Sequence, residues 1–173
     1  MQSDANTLTI TYPAEHDSVA RARHVLSEFA ATAGADGNQV DAVRLAVSEA
    51  VTNAVLHAYR GEAGNVHVTA AVVAEDELWI LIGDDGCGLE SRPDRPGLGL
   101  GLALISQLSD ELAVVPRASG GIEVRMRFAL VNAPSARVGG AGRARAAGPR
   151  ALDGLLPDGW LGCRTPGRAR RPA

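Results

Sequence analysis

The sequence predicts an α+β two-layer sandwich, with helices gathered on one face of an antiparallel sheet. Three observations lead there. Apolar residues recur with period two at both ends of the first 132 residues. Two stretches of helical period stand together between the first strand and the next two. Strands that follow one another directly pair antiparallel, which leaves the helices to cover a single face.

The elements come in the order β-α-α-β-β-loop-α-β-β. Leu8, Ile10 and Tyr12 alternate with Thr7, Thr9 and Thr11, as in a half-buried strand. Asp17 or Ser18 is expected to cap a helix that puts Val19, Ala22, Leu26 and Phe29 on one face and ends near Gly34. Asn38, with Asp41 three places on, is expected to open a second helix running to about Tyr59. Val66 to Ala74 and Leu78 to Ile82 read as strands, the latter bounded by Gly83. A glycine-rich loop leads to a third helix over about Leu100 to Leu108. Glu111 to Val115 is a further strand. Ile122, Val124, Met126 and Phe128 then alternate with Glu123, Arg125 and Arg127, the pattern of an amphipathic strand.

Charge and composition divide the 173 residues into 1–132 and 133–173. The first part carries 9 Arg against 18 acidic residues, the second 8 Arg against Asp153 and Asp158. The second part is 41 residues long and holds 9 Ala, 8 Arg, 8 Gly and 5 Pro, too little apolar surface to offset chain entropy, so disorder is expected. A shifted reading frame in a GC-rich gene would give the same composition. Nucleic-acid binding by this Arg-rich tail is disfavoured, since Trp160 is its one aromatic residue and residues 1–132 are acidic. No run approaches the ~18 apolar residues of a membrane span, and the polar start has no basic-then-apolar leader, so a cytoplasmic location is expected. Cys87 and Cys163 make no disulfide framework, and His16, His24, His57 and His67 show no metal-ligand spacing.

Val40, Val43, Val47, Ala50, Val51 and Ala54 form an apolar arc on the second helix. Four-residue steps advance only about 40° around a helix, so Glu49, Asn53 and His57 form one ridge at the edge of that arc. The strand before the loop ends in Gly83-Asp84-Asp85-Gly86-Cys87-Gly88, which contains Asp-x-Gly-x-Gly, and Gly97, Gly99 and Gly101 open the third helix. Glycines let backbone approach a ligand, helix N-termini attract phosphate, and an Asp ending an apolar strand can accept from a base amino group. Neither common phosphate template is present: there is no G-x-x-x-x-G-K-[ST], and no G-x-G-x-x-G directly after a strand.

In order, Ser48-Glu49-Ala50-Val51-Thr52-Asn53-Ala54, Asp84-x-Gly86-x-Gly88 and Gly97-x-Gly99-x-Gly101 resemble the N, G1 and G2 boxes of the GHKL ATPase superfamily. Within it, VSEAVTNAVLHAY and GLGLGLALI are most similar to the anti-sigma-factor serine/threonine protein kinases. The resemblance spans about Thr7 to Leu130 and leaves out the tail. It implies a Bergerat-type sandwich with a mostly antiparallel mixed sheet, and ATP with Mg²⁺ as cofactors. It implies Glu49 as general base, Asn53 as the Mg²⁺ ligand, and Asp84 with Gly86 and Gly88 at adenine. Gly97, Gly99 and Gly101 would then lie at the phosphates, with Arg92 or Arg95 of the lid meeting the outer ones. Arg21, in Ser18-Val19-Ala20-Arg21, matches the stretch that presents a basic residue to protein partners. His57 is similar to a histidine the family often carries there, and Cys87 falls at a variable position.

Two departures stand out. Ile122 follows Gly121 where the family commonly has Thr, so a hydroxyl supporting the adenine site is missing. The lid, Leu89 to Pro96, is short and interrupted by proline. The resemblance implies a kinase that phosphorylates a STAS-domain anti-anti-sigma protein and binds a sigma factor, without direct nucleic-acid or membrane contact. The alternative is a non-catalytic ATP-binding module that sequesters its partner. A histidine kinase fits less well, because His24 is followed by Val25-Leu26 rather than an acidic residue. A homodimer, with Trp79 or the Thr7/Thr9/Thr11 face contributing, is left open.

Overall fold

Nine elements make up the computed structural model, which describes residues 2–4, 6–59, 61–73, 76–87 and 98–130. They are β1 (Gln2–Asp4), β2 (Thr7–Pro13), α1 (His16–Thr32), α2 (Gly37–His57), β3 (Asn65–Val73), β4 (Glu77–Asp84), α3 (Leu98–Leu108), β5 (Glu111–Pro116) and β6 (Ile122–Ala129). The six strands form one sheet in the order β1-β2-β3-β4-β6-β5. Every described pairing is antiparallel, a more uniform sheet than the expected mostly antiparallel mixed one. The expected element order holds, with β1 added at the front. Its Gln-Ser-Asp sequence carries no apolar alternation, and it forms by pairing with Thr7–Thr9 of β2.

The alternation in β2, β4 and β6 divides the sheet into two faces. Leu8 and Tyr12, Leu78, Ile80 and Ile82, and Val124, Met126 and Phe128 point to the helices and join one buried cluster. Burial pushes the Tyr12 hydroxyl above its usual pKa, with nearby Arg21 pulling the other way. Ala22, Leu26 and Ala30 of α1, Val43, Ala46, Val47, Ala50, Val51 and Ala54 of α2, and Ile105 of α3 fill the other half. Fully buried side chains such as Leu26, Ile80 and Ile105 each stabilise the fold by about 1.5–3 kcal/mol. On the opposite face of β6, Arg125 Nε lies 2.7 Å from Glu123, and Arg127 reaches Glu77 and Glu111 at 3.3 Å each.

Both helix starts differ from expectation. The chain turns helical after Glu15, whose side chain makes no cap bond, so Asp17 falls in the first turn, where its charge favours the helix dipole. Ser18 points inward and is 1% exposed. The N-cap of α2 lies two residues before Asn38. Asp36 accepts from the Gln39 N–H at 2.8 Å, and Gln39 accepts from the Asp36 N–H at 3.1 Å, a reciprocal capping box.

Candidate nucleotide site

The capping box sets where α2 begins, and its apolar stripe seats it on the sheet. Glu49 and Asn53 therefore stand one turn apart at the stripe's edge, both half-buried. The first turn of α3 crosses them at Gly101. A Cβ on this glycine would lie 3.0 Å from Glu49 Oε2 and 3.2 Å from Asn53 Nδ2. Only the missing side chain permits that approach. Carboxylate, carboxamide and the electropositive start of a helix thus converge in one place, an arrangement suited to phosphate and its counter-ion.

The second half of the site is the turn after β4. Asp84 ends the strand at 3% exposure, and its Oδ1 accepts from the Gly86 N–H at 3.0 Å. Gly86 sits on the end of α2, where a Cβ would come within 2.2 Å of the Ala58 carbonyl oxygen. That same oxygen accepts from the Cys87 N–H at 3.0 Å and from the Cys87 thiol at 2.9 Å. Ala58 is the C-cap of α2. It follows Asn53 by five residues, about 7.5 Å along the axis. One helix therefore holds both halves of the site.

Asp85, to which the sequence assigns no role, is the best-connected side chain in this region. Burial alone would raise its pKa. Hydrogen bonds from His67 and Ser119 and the charge of Arg117 outweigh that and hold the carboxyl below its usual range. The one local signal was the doubled Asp at the strand end; its partners come from distant segments.

The structure thus brings Glu49, Asn53 and Gly101 together, and places Asp84 and Gly86 at the end of the same helix. Gly99 lies in the first turn of α3. Gly88, Gly97, Arg92, Arg95 and the lid lie outside the described residues, as does the 133–173 segment. Ile122 starts β6 at 7% exposure and offers no hydroxyl. A hydroxyl does stand nearby, on Ser119, but it bonds to Asp85 rather than to Asp84. Among the described residues no cluster of three His, Cys, Asp or Glu side chains could hold a metal. The neutral Asn53 oxygen beside Gly101 suits an ion that takes most of its ligands from water and phosphate, as Mg²⁺ does. Arg21 is exposed on α1. On another face of α1 a groove of about 230 Å³ runs between α1 and α2, lined by His16, Val19, Arg23, Val55 and Leu56 among others, and Arg21 does not line it. The groove is separate from the site: neither Glu49, Asn53 nor Asp84 lines it. No helix among the described residues is long and apolar enough to cross a membrane.

Residues 12–128 match the family model for the histidine kinase-like ATPase domain. The chain belongs to that family. Among histidine kinase-like ATPases it is similar to the anti-sigma F factor of Clostridium acetobutylicum, with 31% identity over 139 residues, covering 73% of this chain and 96% of that one. It is also similar to the serine-protein kinase RsbW of Listeria monocytogenes, with 32% identity over 120 residues, covering 61% of this chain and 76% of the relative. Among solved structures, the RsbU and RsbW domains of Rv1364c from Mycobacterium tuberculosis match with a TM-score of 0.56 and 27% identity. That match covers 72% of this chain and 32% of the other, so this chain spans about a third of that protein.

Proposed function

We propose that this histidine kinase-like ATPase is a cytoplasmic, ATP-dependent serine protein kinase and anti-sigma factor. It would phosphorylate a STAS-domain anti-anti-sigma protein and bind a sigma factor. The observation that carries this reading is the Glu49–Asn53 pair, one turn apart on α2 and pressed against Gly101. A pure binding module needs no carboxylate there. The similarity to an anti-sigma F factor and to a serine-protein kinase supports the same conclusion.

In this reading Asp84 accepts from the adenine amino group, and the turn at Gly86 and Gly88 leaves room for the ring. The start of α3, with Gly97, Gly99 and Gly101, holds the phosphates. Asn53 would hold Mg²⁺ through its carboxamide oxygen, and the ion would supply charge neutralisation at the phosphates. Glu49 takes the proton from the attacking serine hydroxyl, its carboxylate kept next to the phosphates by the ridge it shares with Asn53. Arg95 meets the outer phosphates. Arg21, exposed on α1, meets the protein partner. Residues 1–132 are the working domain, and residues 133–173 take no part in it.

The alternative is a module that binds ATP and sequesters its partner without phosphate transfer, and Ile122 in place of a hydroxyl residue is the observation in its favour. Radiolabelled transfer from ATP to a cognate STAS protein separates the two. Glu49→Ala should keep ATP and partner binding while transfer falls by about 10²–10⁴-fold, the usual contribution of a general base. Asn53→Ala should lose Mg²⁺-dependent nucleotide binding as well. Wild-type protein that binds ATP and partner yet transfers nothing would establish the non-catalytic module. Full transfer by Glu49→Ala would remove Glu49 from the base role.

A further inference from the structure

Side chains from β3 and the β5–β6 turn meet at the Asp85 carboxylate, on the sheet face away from the helices. His67 Nε2 of β3 lies 2.6 Å from Asp85 Oδ2. The Ser119 hydroxyl donates to Oδ1 at 2.8 Å, and Arg117 Nη2 stands 3.3 Å from the same oxygen. Thr11 of β2 touches the other ring nitrogen of His67 at 3.3 Å, which fixes the imidazole. The backbone is held too: the Asp85 N–H donates to the Tyr59 hydroxyl at 2.9 Å, and that hydroxyl donates to the Asn65 carbonyl. Arg117 reaches the cluster by crossing Gly83, where a Cβ would lie 2.0 Å from its Nη1.

Stability is a poor explanation for this convergence. The paired side chains of His67, Asp85 and Arg117 are 32%, 35% and 22% exposed, and ion pairs open to water contribute little. Position explains it better. Asp85 is the first residue beyond β4, so holding both its carboxylate and its N–H restrains the backbone that carries Asp84. The β5–β6 turn that supplies Arg117 and Ser119 also backs onto Asp84 directly. Gly121, at φ +73°, would put a Cβ 2.2 Å from the Asp84 carbonyl and 2.5 Å from its Oδ1. One turn therefore presses Asp84 from behind and anchors its neighbour.

We infer that Asp85 is a positioning residue for base selectivity: held by His67, Arg117 and Ser119, it aims Asp84 so that the site accepts adenine and rejects guanine. The inference rests on the reading of Asp84 as the adenine partner. Adenine offers an amino group where guanine has a carbonyl, so a well-aimed carboxylate rewards the first and repels the second. A loosened Asp84 loses that difference before it loses general affinity for the phosphates.

The test is calorimetry with ATP and with GTP, alongside thermal unfolding, for the full-length protein and its variants. Wild type should prefer ATP, and Asp84→Asn should lose that preference. Asp85→Ala should weaken ATP about tenfold while the weaker GTP affinity changes less than about twofold. Asp85→Asn and Ser119→Ala, which leave more of the cluster in place, should each lower the ATP-to-GTP ratio by about threefold, and they decide the matter if Asp85→Ala does not fold. A wild-type ratio in all three Asp85 and Ser119 variants would overturn the inference. So would ATP and GTP affinities that fall together in step with the melting temperature, the mark of a purely structural cluster. If wild type shows no ATP preference, or Asp84→Asn keeps it, the assignment of Asp84 itself is wrong and the inference falls with it.

Discussion

Replacing Gly101 by alanine sets helix propensity against the geometry of the site. In an exposed helix interior the exchange stabilises by about 0.8–1 kcal/mol. Here the new methyl would stand 3.0 Å from Glu49 Oε2 and 3.2 Å from Asn53 Nδ2. Both distances are tighter than ordinary van der Waals contact, so the opposing atoms must give by a few tenths of an ångström. The opposing atoms are the ends of side chains, which can swing away at modest cost, so the repulsion is relieved by moving Glu49 and Asn53 rather than by unfolding. Stability in urea should therefore stay within about 1 kcal/mol of wild type. A displacement near 1 Å at a reacting centre can cost about 10²-fold, and half of that shift should lower phosphate transfer about tenfold. The assay is radiolabelled transfer to a cognate STAS protein at saturating ATP, with urea unfolding run on the same preparation. In the Gly101→Ala/Glu49→Ala double mutant the two losses should not multiply, because both act on one carboxylate. Wild-type transfer by Gly101→Ala would show that α3 does not press on the pair in the working protein. A loss matched by about 3 kcal/mol or more of destabilisation would refute the argument from the other side.

Asp36→Ala removes the side-chain acceptor of the α2 capping box, leaving the backbone N–H that donates to Gln39, and should cost about 1 kcal/mol, read as a lower urea midpoint at unchanged slope. Deleting residues 133–173 should leave the melting temperature and ATP affinity unchanged; a fall of many degrees would show that the segment belongs to the core. The folded pKa of Asp85 lies below its unfolded value. Its contribution is therefore present above the unfolded carboxylate range and lost as pH falls through the folded pKa. Urea unfolding between about pH 6 and pH 3 should show a shallower acid limb for Asp85→Asn than for wild type.

What could be read in advance follows from how local each signal is. The strict alternation in Ile122 to Phe128 and the apolar run Leu78 to Ile82 depend on nothing but their own faces, and both strands are where they were expected, extended by one or two residues. The Glu49–Asn53 ridge is equally local, being helix geometry alone. Helix starts are less so. Asn38 was a plausible cap by type, yet Asp36 prevails because Gln39 sits at the position that can return the bond. At α1, Asp17 and Ser18 were both good caps by type, but the chain had already turned helical at His16. The Asp85 cluster was beyond reach. Residues 11, 67, 85, 117 and 119 meet only through the register of β2, β3 and β4 and the β5–β6 turn, and no spacing along the chain announces it.

The Ala58 carbonyl does two jobs with one atom. It is the carbonyl of the α2 C-cap, and it is the peg on which the turn at Gly86 and Cys87 hangs. The end of the helix cannot fray without releasing that turn, and the turn cannot lift without exposing the end of the helix. Local opening of the two is then a single event, and anything that binds the closed turn makes opening rarer by mass action. At a ligand concentration of 100 times its Kd that amounts to about 2.7 kcal/mol, roughly a hundredfold slower hydrogen exchange at the amides of the last turn of α2. The helix that bears Glu49 and Asn53 thus carries, little more than a turn beyond Asn53, a gauge of whether the turn after β4 is occupied.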